Sequence, residues 1–139
     1  MKNALVRTTL VVLALCVGAW LALGYRAVKL EETGQAAVTQ IQHGPISPAK
    51  RREALDALDD ARFLNADEGP NLVEGNLRLF TGHRAQAVAL ARHITTDEPD
   101  NASGWFLAYL AEQGAAKQEA LERLEALDPW AGEALRRTD

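Results

Sequence analysis

Apolar residues fall into one long uninterrupted run followed by several short helical stripes. The run, residues 8–25, holds eighteen residues without a charged side chain. As a helix it would span roughly 27 Å, close to the hydrocarbon thickness of a bilayer, about 30 Å. Lys2 and Arg7 precede the run, and Trp20 and Tyr25 lie near its far end, where aromatic side chains favour the interface. The pattern predicts an N-terminal transmembrane anchor over residues 1–25.

A cleaved signal peptide is the alternative for this segment. It would share the basic start and apolar core, and Ala22-Leu23-Gly24 fits a small-x-small cleavage site. The length favours an uncleaved anchor, and the flanking Arg26 suits a side chain that snorkels to the interface. An anchored chain would be single-pass, with a cytoplasmic N-terminus and an extracytoplasmic C-terminal domain. Arg26 and Lys29 weaken this orientation, because the positive-inside rule depends on the bias in Lys and Arg and these two lie on the far side of the run. A cleaved chain would be secreted.

Residues 26–46 continue the helical pattern beyond the apolar run. Apolar positions recur at helical spacing until His43-Gly44-Pro45 interrupts them. Ser47 and Pro48 then restart a helix, as N-cap and first helical residue. We therefore predict a juxtamembrane helix and loop over 26–46 and a helical domain over 47–139.

Residues 71–101 read as two short helices joined by a glycine turn. Gly75 lies inside the first helix, where glycine costs about 1 kcal/mol relative to alanine, so we expect a second helix to approach closely there. Gly82 suits the left-handed conformation that ends a helix. Pro99 ends the second helix, and Asn101 is a good N-cap for the next.

This unit resembles a tetratricopeptide repeat, a family whose period is about 34 residues. The matching residues have the family's own spacing and are Gly75-Asn76, Gly82, Ala87 and Pro99-Asp100-Asn101. The chain departs from the family where an early aromatic, a tyrosine and a small residue are usual, at Asn71, Arg78 and Ile94. The resemblance implies that Gly75 faces Ala87 where the two helices cross. An ordinary helical hairpin in a small bundle is the alternative.

Similar but altered copies flank the central unit. Ala54, Leu58 and Ala61 match the second helix of a degenerate first repeat, and Trp105 takes the family's aromatic position in a shortened third. Residues 130–137 form a final short helix that would cap the last apolar face, as repeat stacks require. The resemblance thus implies an all-α fold in which a transmembrane helix precedes a short right-handed stack of antiparallel helix pairs, a TPR-like α-solenoid, with a C-terminal capping helix.

Charge and cysteine content narrow the functions. All nineteen acidic residues follow Leu30, together with eleven of the fifteen basic ones, leaving a formal charge of −8 in that part. An acidic surface argues against nucleic acid, whose recognition needs a basic patch. Cys16 is the single cysteine, so no disulfide or cysteine-based metal site can form within one chain.

Candidate chemistry is sparse. The histidines, His43, His83 and His93, are assigned to turns or a late helical position without a second ligand at i+3 or i+4, so no metal site is expected. Neither serine lies in a G-x-S-x-G context, and no glycine-rich phosphate loop is present. Residues 97–100 fit an inter-repeat turn better than a calcium loop. We therefore expect no enzyme, no cofactor and no small-molecule substrate.

The resemblance favours a membrane-tethered protein-protein interaction module or scaffold on the extracytoplasmic side. The first helix of each pair would line a concave face that binds extended peptides or partner helices. The implied groove residues are Leu72, Asn76, Leu79, Phe106, Leu110 and Gln113, with Asn76 at the family's ligand-binding asparagine. The implied repeat-packing residues are Gly75, Gly82, Ala87, Pro99 and Trp105.

Two alternatives remain open. In the first alternative, the apolar groove residues pack against the tail of the anchor helix and bind no partner. In the second, the protein is a structural subunit of a cell-envelope assembly complex, of the polysaccharide or cytochrome type, without a ligand groove of its own. Fold alone does not decide function.

Overall fold

The computed structural model describes the backbone of residues 2–65 and 67–137 and the side chains from Thr9 onward within them. In these residues the chain forms seven helices and no strand, which confirms the all-α prediction. The helices are α1 Lys2–His43, α2 Pro48–Leu64, α3 Gly69–Phe80, α4 Arg84–Asp97, α5 Ala102–Ala111, α6 Gly114–Leu127 and α7 Pro129–Arg136.

The first helix, α1, is continuous over 42 residues and joins the apolar run to the folded part. Its most apolar 18-residue window has a mean hydropathy of 1.9, and only 6% of that window is buried. It is long and apolar enough to cross a membrane by length and composition. Among the described side chains of α1, the first that is buried is that of Ala27. The other described helices therefore leave residues 10–25 of the apolar run exposed.

Consecutive helices pack as pairs: α1 with α2, α3 with α4, and α5 with α6, while α7 packs on α6. The pairs are joined through contacts of α1 with α3 and of α3 with α5, and α4 also packs against α5. Within the first pair the helices run antiparallel, because Gly34 lies against Leu58 while Lys50 Nζ donates to Gln40 Oε1 at the other end. The fold is thus a row of helix pairs in chain order.

The predicted helix ends are confirmed. The Ser47 hydroxyl accepts a hydrogen bond from Lys50 N (3.2 Å), and the Asn101 side chain accepts one from Gly104 N (3.0 Å). Gly82 has φ +81°, a conformation that glycine adopts without the penalty a Cβ imposes. These contacts satisfy backbone groups that helix termini leave unpaired.

Three helical glycines mark positions where a large side chain from a neighbouring helix fills the space of a Cβ. Gly34 faces Leu58, Gly104 faces Ile94, and Gly75 faces Leu107. The predicted close approach at Gly75 is confirmed, and the nearest side chain is that of Leu107 on α5. The tightest contact at Gly75 therefore lies between two helix pairs, whereas the expected contact with Ala87 stays a prediction.

Two buried clusters make up the core, and α3 contributes to both. The first joins α1, α2 and α3 through residues that include Ala37, Leu58 and Leu77. The second joins α4, α5 and α6, and Leu72 and Leu79 of α3 pack against it. The C-terminal part of α1 is therefore part of the folded core.

Candidate functional site

The predicted groove residues lie on two neighbouring helices. Leu72, Asn76 and Leu79 belong to α3, whereas Phe106 and Leu110 belong to α5, and α3 contacts α5. Gln113 is the exposed residue before α6. The structure thus brings the two groups to adjacent elements.

These residues differ in how much surface they offer. Leu72, Leu79 and Leu110 are half-buried against the second core cluster, whereas the Phe106 side chain is exposed (40%). The α3 residues that join the cluster with α1 are Val73 and Leu77. The C-terminal part of α1 is therefore packed against a different set of α3 side chains from those predicted for the groove.

Asn76 is engaged with its own helix. Its Nδ2 donates to the backbone oxygen of Leu72 at 2.9 Å. A side-chain amide has two donor hydrogens and an acceptor oxygen, so this bond leaves hydrogen-bonding capacity for a ligand backbone. The geometry is compatible with the predicted role, which stays a prediction.

A cavity of about 510 Å³ opens where the C-terminal end of α5 meets α6 and α7. Leu110 and Gln113 contribute to its wall. Arg84 also lines it, donating from Nε to the Ala111 oxygen (2.7 Å) and from Nη2 to the Glu112 oxygen (2.9 Å). Since a cation is favourable near a helix C-terminus, Arg84 stabilises the end of α5 and the adjoining cavity wall.

A buried ionic cluster that was not predicted from the sequence lies between α2 and α3. Glu74 is 8% exposed and accepts hydrogen bonds from Arg62 Nη2 and from Arg78 Nε (2.9 Å). Arg62 also donates to Asp59 Oδ1 at 2.6 Å. The i, i+4 spacing of Glu74 and Arg78 within an apolar stripe was the available signal. The cluster connects α2 with α3, so we interpret it as a contact that stabilises the fold.

The expectation that no histidine has a second ligand at i+3 or i+4 was wrong for His93. Asp97 follows it at i+4, and the distance from His93 Nδ1 to Asp97 Oδ2 is 3.6 Å. Glu68, next to the start of α3, brings Oε1 to 3.8 Å from His93 Nε2. The three side chains could offer ligands within 4.8 Å of one another, but His93 and Asp97 are about half exposed and Glu68 already accepts from Asn71 Nδ2. A surface hydrogen-bonding and charge cluster accounts for this arrangement.

The remaining residues that were predicted to pack between repeats lie in turns and interfaces. Ala87 is fully buried on α4. Trp105 Nε1 donates to the Pro99 backbone oxygen (2.8 Å), which ties the second turn of α5 to the preceding loop. The outer face of the Trp105 ring meets Arg123, whose Cζ lies 5.8 Å from the ring centroid, within cation–π distance.

Comparison with known proteins finds no matching family model, no matching curated protein and no matching solved structure.

Proposed function

We propose that the protein is a membrane-tethered helical-repeat module that binds a protein or peptide partner along α3 and α5, on the extracytoplasmic side. The observation that carries the proposal is the adjacency of these two helices, which places Asn76 and Phe106 on neighbouring elements. An exposed aromatic ring on one helix and a polar amide on its neighbour are side chains that peptide-binding surfaces use.

The pattern of contacts between helices supports the repeat interpretation. The first helices α1 and α3 each contact their own partner and the first helix of the next pair. The first helices α3 and α5 begin at Gly69 and Ala102, thirty-three residues apart, close to the period of about 34 expected of tetratricopeptide repeats. The short turn at Gly82 and the buried Ala87 agree with the same assignment.

Properties of α1 support the tether. The side chains of residues 10–25 are exposed, so the other described helices do not cover this stretch of the apolar run. Exposing so many large apolar side chains to water is unfavourable, and a bilayer removes that cost. Lys2 and Arg7 before the run favour a cytoplasmic N-terminus.

Site-specific photo-crosslinking tests the binding surface. A photoreactive phenylalanine analogue replaces Phe106 in the full chain, in its native membranes. The matched control carries the analogue at Ala89, an exposed position on α4. We expect a discrete crosslinked product from position 106 that is absent from position 89 and weakened by Asn76→Ala. Equal products from both positions, or products insensitive to Asn76→Ala, would contradict the proposed groove.

Thiol labelling tests the sidedness. In a Cys16→Ala background, Ser103→Cys provides a single exposed thiol on α5. A membrane-impermeant maleimide should label it from outside in cells whose outer barriers have been removed. Labelling only after lysis would place the domain in the cytoplasm and overturn the orientation.

A further inference from the structure

Outside α1, two described side chains stand out for their exposure: Phe63 at 91% and Trp130 at 84%. Neither belongs to the groove or to a core cluster. Single exposed apolar residues are normal on protein surfaces, so exposure alone carries little weight. The exposure of Phe63 and Trp130 becomes informative because of where the two residues lie relative to the apolar run of α1.

The folded part begins directly at the end of the apolar run. Tyr25 closes the charge-free stretch, and Ala27 is already buried at 4% exposure. Two residues of continuous helix rise by about 3 Å. No spacer therefore separates the bilayer from the helices packed on α1, if α1 crosses a membrane as proposed.

The end of α2 lies at this exit point. Arg26 Nη2 is 3.9 Å from Asp60 Oδ2, near the C-terminal end of α2. The two helices are antiparallel, so α2 runs back toward the bilayer. Phe63 follows Asp60 by about one helical turn and thus lies beside the residues that leave the membrane.

The connections between pairs share the same edge of the stack. The start of α3 lies beside α1, because a Cβ on Gly69 would be 3.0 Å from Glu31 Oε1. The end of α4 lies beside the start of α3, because His93 Nε2 is 3.8 Å from Glu68 Oε1. The end of α6, which leads into Trp130 on α7, lies beside the start of α5, because Arg123 Cζ is 5.8 Å from the centroid of the Trp105 ring. We call the edge formed by Phe63, residues 67–69, 97–101 and 128–130 the proximal edge.

We propose that the proximal edge rests on the lipid surface, with the rings of Phe63 and Trp130 in the headgroup region of zwitterionic lipids. The inference depends on the proposed membrane anchor and adds a second contact to it. The headgroup region adds about 5–8 Å on each side of the hydrocarbon core, enough to reach side chains at the height of Phe63. Aromatic rings are enriched at this depth.

The charge of the proximal edge selects the lipid. Its exposed side chains include the carboxylates of Asp67, Asp97 and Asp100, whereas Asp60 is paired with Arg26. Anionic lipids give a membrane a negative surface potential that repels such an edge, whereas zwitterionic lipids do not. A docked edge would hold α3 and α5 at a fixed height above the membrane and so orient the groove.

Fluorescence of an environment-sensitive dye tests this contact in the full chain, reconstituted in phosphatidylcholine vesicles. In a Cys16→Ala background the dye is attached through Phe63→Cys, Trp130→Cys or Ala49→Cys. Ala49 is exposed at the distal end of α2, so it is the matched control for Phe63. We expect blue-shifted emission and quenching by headgroup-nitroxide lipids at positions 63 and 130, but water-like emission without quenching at position 49.

A dye at Leu15→Cys separates this inference from the anchor proposal. Water-like emission at position 63 with a lipid-embedded dye at position 15 would overturn the edge contact and leave the anchor intact. Water-like emission at both positions would overturn both. A blue shift at position 63 without lipid quenching would mean that protein covers Phe63, which also contradicts the proposal. Added phosphatidylglycerol should reduce the quenching at 63 and 130, and an increase would refute the lipid preference.

Discussion

Leu107 on α5 packs its Cδ2 into the space that a Cβ on Gly75 of α3 would occupy. Leu107 is fully buried, so its side chain has little room to move away. The contact joins two successive helix pairs, and a glycine at position 75 is what permits α5 to approach α3 so closely.

Gly75→Leu should therefore destabilise the fold. Overpacking typically costs about 1–3 kcal/mol, which outweighs the gain of about 1 kcal/mol in helix propensity. Urea unfolding of the full chain in detergent micelles measures the change. Adding Leu107→Ala should recover part of the loss, because neighbouring substitutions are not additive. A Gly75→Leu variant as stable as the parent would show that α3 and α5 do not pack in this way.

Ala87→Leu should also destabilise the fold. Ala87 is fully buried, so a larger side chain has no free space there, whereas Ala89 on the same helix is exposed. We expect a loss of about 1–3 kcal/mol for Ala87→Leu and a change within about 0.5 kcal/mol for the control Ala89→Leu. An Ala87→Leu variant as stable as the parent would show that this face of α4 is not packed in the folded protein.

Removing the Glu74 carboxylate should destabilise the contact of α2 with α3. Glu74→Ala leaves the half-buried guanidinium groups of Arg62 and Arg78 without their shared acceptor. An unsatisfied polar group of this kind costs about 1–3 kcal/mol in urea unfolding. Glu119→Ala, on the exposed face of α6, is the control. The loss should shrink when Arg62→Ala is already present, and strict additivity would argue that the two side chains do not interact.

Glu31 should make the fold less stable at neutral pH than an uncharged residue would. Partial burial, followed by the nearby charge of Asp67, raises the pKa of Glu31 above the ordinary value of a glutamate. The folded state therefore holds this proton more tightly than the unfolded chain. The stability that protonation contributes is complete below the unfolded pKa and is lost as pH rises through the folded pKa.

Glu31→Gln removes this pH-dependent loss. The variant should be more stable than the parent in urea unfolding at neutral pH, and the difference should narrow as the pH falls toward the ordinary pKa of a glutamate. Asp67→Asn keeps the oxygen that accepts from Gly69 N and removes the charge, so it should give part of the gain. A parent that is more stable than Glu31→Gln at neutral pH would show that the Glu31 carboxylate is stabilising.

Asn76→Ala should reduce partner capture without unfolding the protein. The hydrogen bond from the Asn76 side-chain amide to the Leu72 oxygen is local and half-buried, so the change in stability should stay within about 1 kcal/mol. The yield of the crosslink from position 106 measures capture. Gln118→Ala, on the exposed part of α6, is the control and should leave the yield unchanged.

The sequence by itself determined the features that depend on neighbouring residues. The uncharged run needs only length and composition, and the N-caps at Ser47 and Asn101 bond to amides three residues away. Gly82 takes a backbone conformation that the residue type itself favours. Local hydrogen bonding and periodicity are visible along the chain, so the helices and their ends were predicted well.

Tertiary structure alone decided which distant residues meet. The sequence showed that Gly75 needs space but not that Leu107 fills it, because the partner depends on how successive pairs stack. It likewise contained no pattern that pairs Glu74 with Arg62 across two helices, or that brings Glu68 to His93. The location of Phe63 beside the end of the apolar run follows only from α2 folding back along α1, since Arg26 and Asp60 are far apart in the chain and become neighbours when the helices pack.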